Sequence, residues 1–180
     1  DEGSGPVLLL LHGSPLWSFM YRDVVERLRD RYRCIAVDLP GLGLSTAPLV
    51  MGRAFSRHAA LFEAFVRHLR IDDFALAVHA TAGPSGLLMA TRMPGRIRAL
   101  ILSNTFAWSL LDVPVMRRFV GIVSSRLFGW INVRFNLLAR ITARFGSRAR
   151  VTTAAERAAI LEPYRDVATG RHLQNTLLSI

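Results

Sequence analysis

Residues 74–93 constrain this chain more than any other stretch. Phe74-Ala75-Leu76-Ala77-Val78-His79 is an apolar run of strand length, Ala80-Thr81-Ala82-Gly83-Pro84 is a turn of small residues, and residues 85–93 form an apolar helical run stopped by Pro94-Gly95. A strand that enters a helix through so short a turn makes a sharp elbow, whose tip lifts one side chain above the sheet at the helix N-terminus. The pattern is small-x-nucleophile-x-small; here Val78 and Ala82 take the small positions and Ala80 the tip. Alanine carries no atom that can attack a substrate. Thr81 sits one residue past the tip and Ser85 one turn into the helix, so neither would project as the strained turn requires.

Three further apolar runs share the character of the elbow strand: residues 7–11, 34–37 and 97–103. Short continuous apolar runs of this kind are typical of parallel strands buried on both faces. Helical patterns separate them, an amphipathic one over 17–29 and a second over 55–70 whose apolar side carries Leu61, Phe62, Phe65, Val66 and Leu69. The order β-α-β-α-β-α-β predicts a parallel sheet covered by helices on both faces. Ligands of such sheets sit at the carboxyl ends of the strands. His12-Gly13-Ser14, Asp38, Ala80-Thr81 and Asn104 to Trp108 all fall at that edge. The small-residue turn His12-Gly13-Ser14-Pro15 leaves backbone N–H groups free to meet a ligand, as an oxyanion hole requires.

After Trp108 the alternation stops. Residues 114–145 interleave Phe119, Leu127, Trp130, Phe135 and Ile141 with arginines, and Gly121, Gly129 and Gly146 divide the stretch into short helical pieces. Thr153 and Glu156 are spaced as a capping box. The chain thus divides into 1–108 and a helical layer, 109–180.

The net charge of +10 over 180 residues comes from Arg alone, for there is no Lys, and it is uneven: 12 Arg against 9 acidic residues in 1–108, 11 against 4 in 109–180. In the second part arginines and apolar residues alternate at roughly helical spacing. That reads as helices packing one face and solvating the other, in preference to a nucleic-acid or membrane-surface site. No stretch approaches a transmembrane helix, and residues 7–11 are too short for a signal peptide. Cys34 lies in an apolar run and reads as a small buried side chain, which fits a reducing, cytoplasmic location. Gly41-x-Gly43 lacks the third glycine of a dinucleotide loop, and Pro48 breaks the helix that should follow. His58 and His68 have no Cys, Asp or second His at metal-site spacing, so no metal or cofactor is expected.

With these stretches together, the chain resembles the α/β-hydrolase superfamily and, within it, the haloalkane dehalogenase branch. The resemblance is carried by His12-Gly13-Ser14-Pro15-Leu16-Trp17-Ser18-Phe19-Met20-Tyr21-Arg22, by Asp38-Leu39-Pro40-Gly41-Leu42-Gly43-Leu44-Ser45, by the elbow, and by Ile101-Leu102-Ser103-Asn104-Thr105-Phe106-Ala107-Trp108. It implies a partial α/β-hydrolase core over 1–108 and a helical cap over 109–180. In the family an elbow Asp displaces halide from an alkyl carbon, and a His oriented by an acid activates water against the resulting ester. The family's elbow reads Val-x-Asp-Trp-Gly-Gly, whereas this chain has Val78-His79-Ala80-Thr81-Ala82-Gly83. Ala80 therefore stands at the nucleophile position, and Thr81 replaces the Trp that helps bind the departing halide. The family's acid and His lie on later strands, which would follow Ile180. By resemblance the backbone N–H groups of Ser14 and Thr81 form an oxyanion or halide pocket, rimmed by His12, Gly13, Asn104 and Trp108. The ring of His79 is expected to point away from it.

Two functions follow as expectations. One is a haloalkane-dehalogenase-like hydrolase, inactive as this chain stands; the other is a silent relative binding a small apolar molecule, halogenated or not, between sheet and cap. Strands 34–37 and 97–103 are expected at the two sides of the sheet, each without an outer neighbour, so self-association of the chain is expected too.

Overall fold

The computed structural model describes residues 1–146 and 152–179, apart from the side chains of Gly52 and Arg53. Four strands, β1 (Val7–Leu11), β2 (Arg33–Val37), β3 (Phe74–His79) and β4 (Ile97–Ser103), form one parallel sheet in the order β2-β1-β3-β4. Between them lie α1 (Arg22–Leu28), α2 (Phe55–His68) and α3 (Gly83–Arg92). The helix expected over 17–29 begins instead as a 3-10 turn, Ser18–Tyr21, so only its second half is α-helical.

Because successive strand residues face opposite sides, β1 feeds two cores. Leu9 and Leu11 pack with Phe62, Val66 and Met89 of α2 and α3, whereas Leu8 and Leu10 pack with Tyr21, Val25 and Leu28 on the α1 side. The sheet is therefore covered on both faces, as the alternation of elements predicts. Cys34 is buried and unbridged, and burial pushes its thiol pKa up.

The sheet's two sides are treated differently. Outside β2, the backbone of Glu2 makes a two-way antiparallel bridge with Cys34, which covers part of that edge. Among the described residues strand β4 pairs with β3 alone, and Leu100, Ile101 and Leu102 are exposed.

A helical layer follows: α4 (Pro114–Val123), α5 (Arg126–Phe135), α6 (Leu137–Phe145), α7 (Ala154–Leu161) and α8 (Val167–Leu177). It is the cap expected after Trp108; positions 147–151 and 180 of that expected span lie outside the described residues. Of the three glycines expected to punctuate this layer, Gly146 ends α6, whereas Gly121 and Gly129 lie within α4 and α5. The breaks fall at Ser124-Ser125 and at Asn136, whose φ is +52°. Gly129 faces α8, where a Cβ would stand in ordinary contact, 3.4 Å from Gln174 Nε2. The capping box at Thr153 and Glu156 is present in both directions.

Polar contacts seat the cap on the sheet. The buried Tyr164 hydroxyl donates to Pro15 O at 2.6 Å, Asn175 Nδ2 donates to Leu49 O at 3.0 Å, and Arg22 pairs with Glu156. Among the described residues no helix is long and apolar enough to cross a membrane.

Candidate functional site

The elbow forms where the sequence places it. Ala80 sits at φ +48°, a left-handed backbone that costs a non-glycine residue roughly 1–2 kcal/mol. Its neighbours hold it there: Thr105 Oγ1 donates to Ala80 O at 2.6 Å. Gly83 and Gly86 admit the close packing, since a Cβ at Gly83 would lie 1.6 Å from Thr105 Oγ1 and one at Gly86 would lie 2.4 Å from Val78 Cγ1. Above the tip a Cβ on Gly13 would come within 2.5 Å of the Ala80 methyl. Ala80 thus lies against Gly13 and offers no nucleophilic atom.

The loop after β1 is fixed by its own chemistry. The peptide between Ser14 and Pro15 is cis. His12 is fully buried, and Leu39 N–H donates to its Nε2 at 2.9 Å. An amide can only donate, so Nε2 is bare and the ring proton sits on Nδ1, 3.3 Å from Gly13 O. Burial pushes the His12 pKa down to about 4, against the opposing pull of Asp38. His12 is therefore a neutral clamp between the loops after β1 and β2, beneath the expected rim.

Asp38 accepts Ser18 N–H at 2.7 Å and Leu44 N–H at 2.9 Å. Gly41 and Gly43 both have positive φ, and a Cβ at either would strike His172 or the Asp38 carboxylate. These glycines serve close packing, which is why they stand without a dinucleotide motif. His58 is buried and His68 exposed on α2, the packed and surface fates that the spacing implies.

Ser14 and Thr81 are brought together in an unforeseen way: Ser14 N–H donates to Thr81 Oγ1 at 2.8 Å. One of the two expected anion donors is thus engaged by the side chain of the residue supplying the other. Asn104, with φ +45°, and Trp108 are exposed and line a separate hollow of about 230 Å³ with Leu87, Leu102 and Phe106.

A second hollow, about 310 Å³, lies between sheet and cap. Leu16, Trp17, Met20 and His79 line it from the core, Thr142 and Ile160 from the cap. The His79 ring does not turn away as expected: its Cδ2 lies 3.1 Å from where a Gly13 Cβ would be, and its Nδ1 is 3.2 Å from Ser103 Oγ. Burial lowers its pKa, with the Ser103 contact opposing. Trp17 belongs in the sequence to the helical pattern over 17–29 and to the 12–22 stretch of the resemblance, with no site role attached. Its indole N–H is buried and, among the described residues, unpartnered. A Trp two residues after Pro15, in the loop leaving a central strand, is the signal that could have marked it.

Comparison with known proteins gives a consistent answer. The alpha/beta hydrolase fold family profile matches residues 6–158. Haloalkane dehalogenase 2 of Mycobacterium tuberculosis is 36% identical over 154 residues, covering 86% of this chain and 54% of that protein. The cis-3-alkyl-4-alkyloxetan-2-one decarboxylase of Shewanella oneidensis is 32% identical over 172 residues, 93% of this chain and 54% of that one. The chain spans about half the length of these curated relatives. Among solved structures, haloalkane dehalogenase DbeA from Bradyrhizobium elkani superposes with a TM-score of 0.85 over 99% of this chain and 64% of that chain, at 23% identity, a likeness of fold.

Proposed function

The chain belongs to the α/β-hydrolase fold family, and from that premise we propose that it is a haloalkane-dehalogenase-like scaffold that holds a small apolar molecule between sheet and cap without hydrolysing it. The observation that carries this reading is Ala80 at the elbow tip. Hydrolysis through an alkyl ester needs a carboxylate there to form the carbon–oxygen bond as halide leaves. The departing halide also needs a donor, and Thr81 has no indole N–H while Ser14 N–H is already engaged. What remains is a hollow in which Leu16, Trp17, Met20 and Ile160 offer apolar surface to a small alkyl chain, beside the charged Arg22 and Asp23 and the polar His79, Thr142 and Thr152. The lone buried Cys34 fits a cytoplasmic protein.

Titration with 1-bromohexane tests the reading in two ways. Saturable quenching of tryptophan fluorescence is expected, and it should disappear in Trp17→Phe while Trp108 and Trp130 still emit. Bromide release is expected to stay at the level of a heat-treated control. Release of many equivalents of bromide per chain would overturn the silent reading, and quenching that persists in Trp17→Phe would overturn the assigned cavity.

A further inference from the structure

We propose that the outward faces of α4, α5 and α6 dock on an anionic lipid surface. Between Asp112 and Glu156 the sequence has eight Arg and no Asp or Glu. Arg117, Arg118, Arg126, Arg134, Arg140 and Arg144 are exposed on these three helices. Among the described residues no carboxylate pairs with any of them.

The same faces carry large apolar side chains. On α5, Leu127 is 70% and Trp130 63% exposed, and positions 126, 127, 130 and 134 share one face by helical spacing. On α6, Ile141 and Phe145 stand outward beside Arg140 and Arg144; on α4, Phe119 and Ile122 stand outward with Arg118. The inward faces are already satisfied: Val123, Ala139 and Ala143 are buried, and Asn132 Nδ2 donates to Gln174 Oε1 at 3.1 Å. An ordinary surface helix buries its apolar stripe and solvates its charges. Here cation and apolar group lie outward together, and the Arg134 and Arg144 guanidinium groups lie over the Phe135 and Phe145 rings.

A lipid headgroup layer meets both demands at once. Its anionic phosphates face the arginines, its acyl boundary takes up Leu127, Ile122 and Ile141, and its interface favours Trp130. A nucleic-acid backbone would answer the arginines and leave the aliphatic side chains in water.

Vesicle flotation, which separates bound protein from aggregates, provides the test on the 180-residue chain. Binding to phosphatidylcholine vesicles containing phosphatidylserine is expected, weakening as salt rises and falling off sharply on phosphatidylcholine alone. Each Arg counts for roughly fivefold near an anionic surface, so the triple variant Arg118→Gln, Arg126→Gln, Arg134→Gln should lose on the order of a hundredfold. The double variant Leu127→Ser, Trp130→Ser should lose about tenfold or more. All these positions are exposed, and unchanged circular dichroism melts are expected. Absence of binding to the phosphatidylserine vesicles, or equal binding to both kinds, would overturn the proposal. So would full retention by the Leu127/Trp130 variant, and tighter binding to poly(U) RNA that this variant leaves intact would assign the face to nucleic acid instead.

Discussion

At the residue scale two neighbouring side chains of the elbow act together. Ala80 offers no attacking atom, and Thr81 takes Ser14 N–H on its hydroxyl at 2.8 Å. The Thr81 contact is stabilising, because a partly buried N–H with no acceptor costs about 1–3 kcal/mol. Thr81→Val keeps the shape of the side chain and removes the acceptor. The variant should unfold at lower urea, by about 1–2 kcal/mol, and Ala80→Gly should not share the effect, because relief of the left-handed strain is offset by the added freedom of the unfolded chain. Equal urea midpoints for Thr81→Val and the parent would show that the Ser14 contact contributes nothing to the loop.

At the element scale, strand β4 is the exception in a sheet that otherwise hides its strands. Leu100 and Leu102 face one side and Ile101 the other, where it borders a hollow with Leu8, Leu10 and Leu28. A long apolar strand with a free edge is a template for pairing with another copy. The 180-residue chain should therefore self-associate with concentration, and Ile101→Lys with Leu102→Lys should shift it towards monomer in analytical ultracentrifugation. A monomer with a sharp cooperative melt would refute this. Much of the element plan was legible in the sequence: β1, β3 and β4 run as their apolar stretches indicate, and the capping box at Thr153 marks the start of α7. What was not legible depends on contacts between distant segments. No local pattern shows that Ser14 meets Thr81, that Glu2 bridges Cys34, or that His12 is clamped by Leu39. The outward apolar side chains of α5 were hidden for a related reason: helical spacing reports which residues share a face, and packing alone decides whether that face is covered.

At the scale of the whole molecule, three histidines tie segments together, and burial lowers the pKa of each: His12, His58 and His79. Each titrates near 6.5 in the unfolded chain, so between that value and the lower folded one the unfolded state binds more protons. Stability from these groups is complete above pH 6.5 and is lost as pH falls through that range. His12 should dominate, since its folded pKa is about 4 and protonation would place a charge in a fully buried ring whose Nε2 must accept from Leu39 N–H. The drop from 6.5 to about 4 corresponds to a loss on the order of 3 kcal/mol, a large share of a typical domain's stability. Urea midpoints measured from pH 7.5 down to pH 4 should fall steadily below pH 6.5, and His12→Gln, which keeps an acceptor and cannot titrate, should flatten the slope even if it lowers the plateau. A parent midpoint that holds level from pH 7 to pH 5 would mean that His12 is not clamped in the neutral form between the loops after β1 and β2.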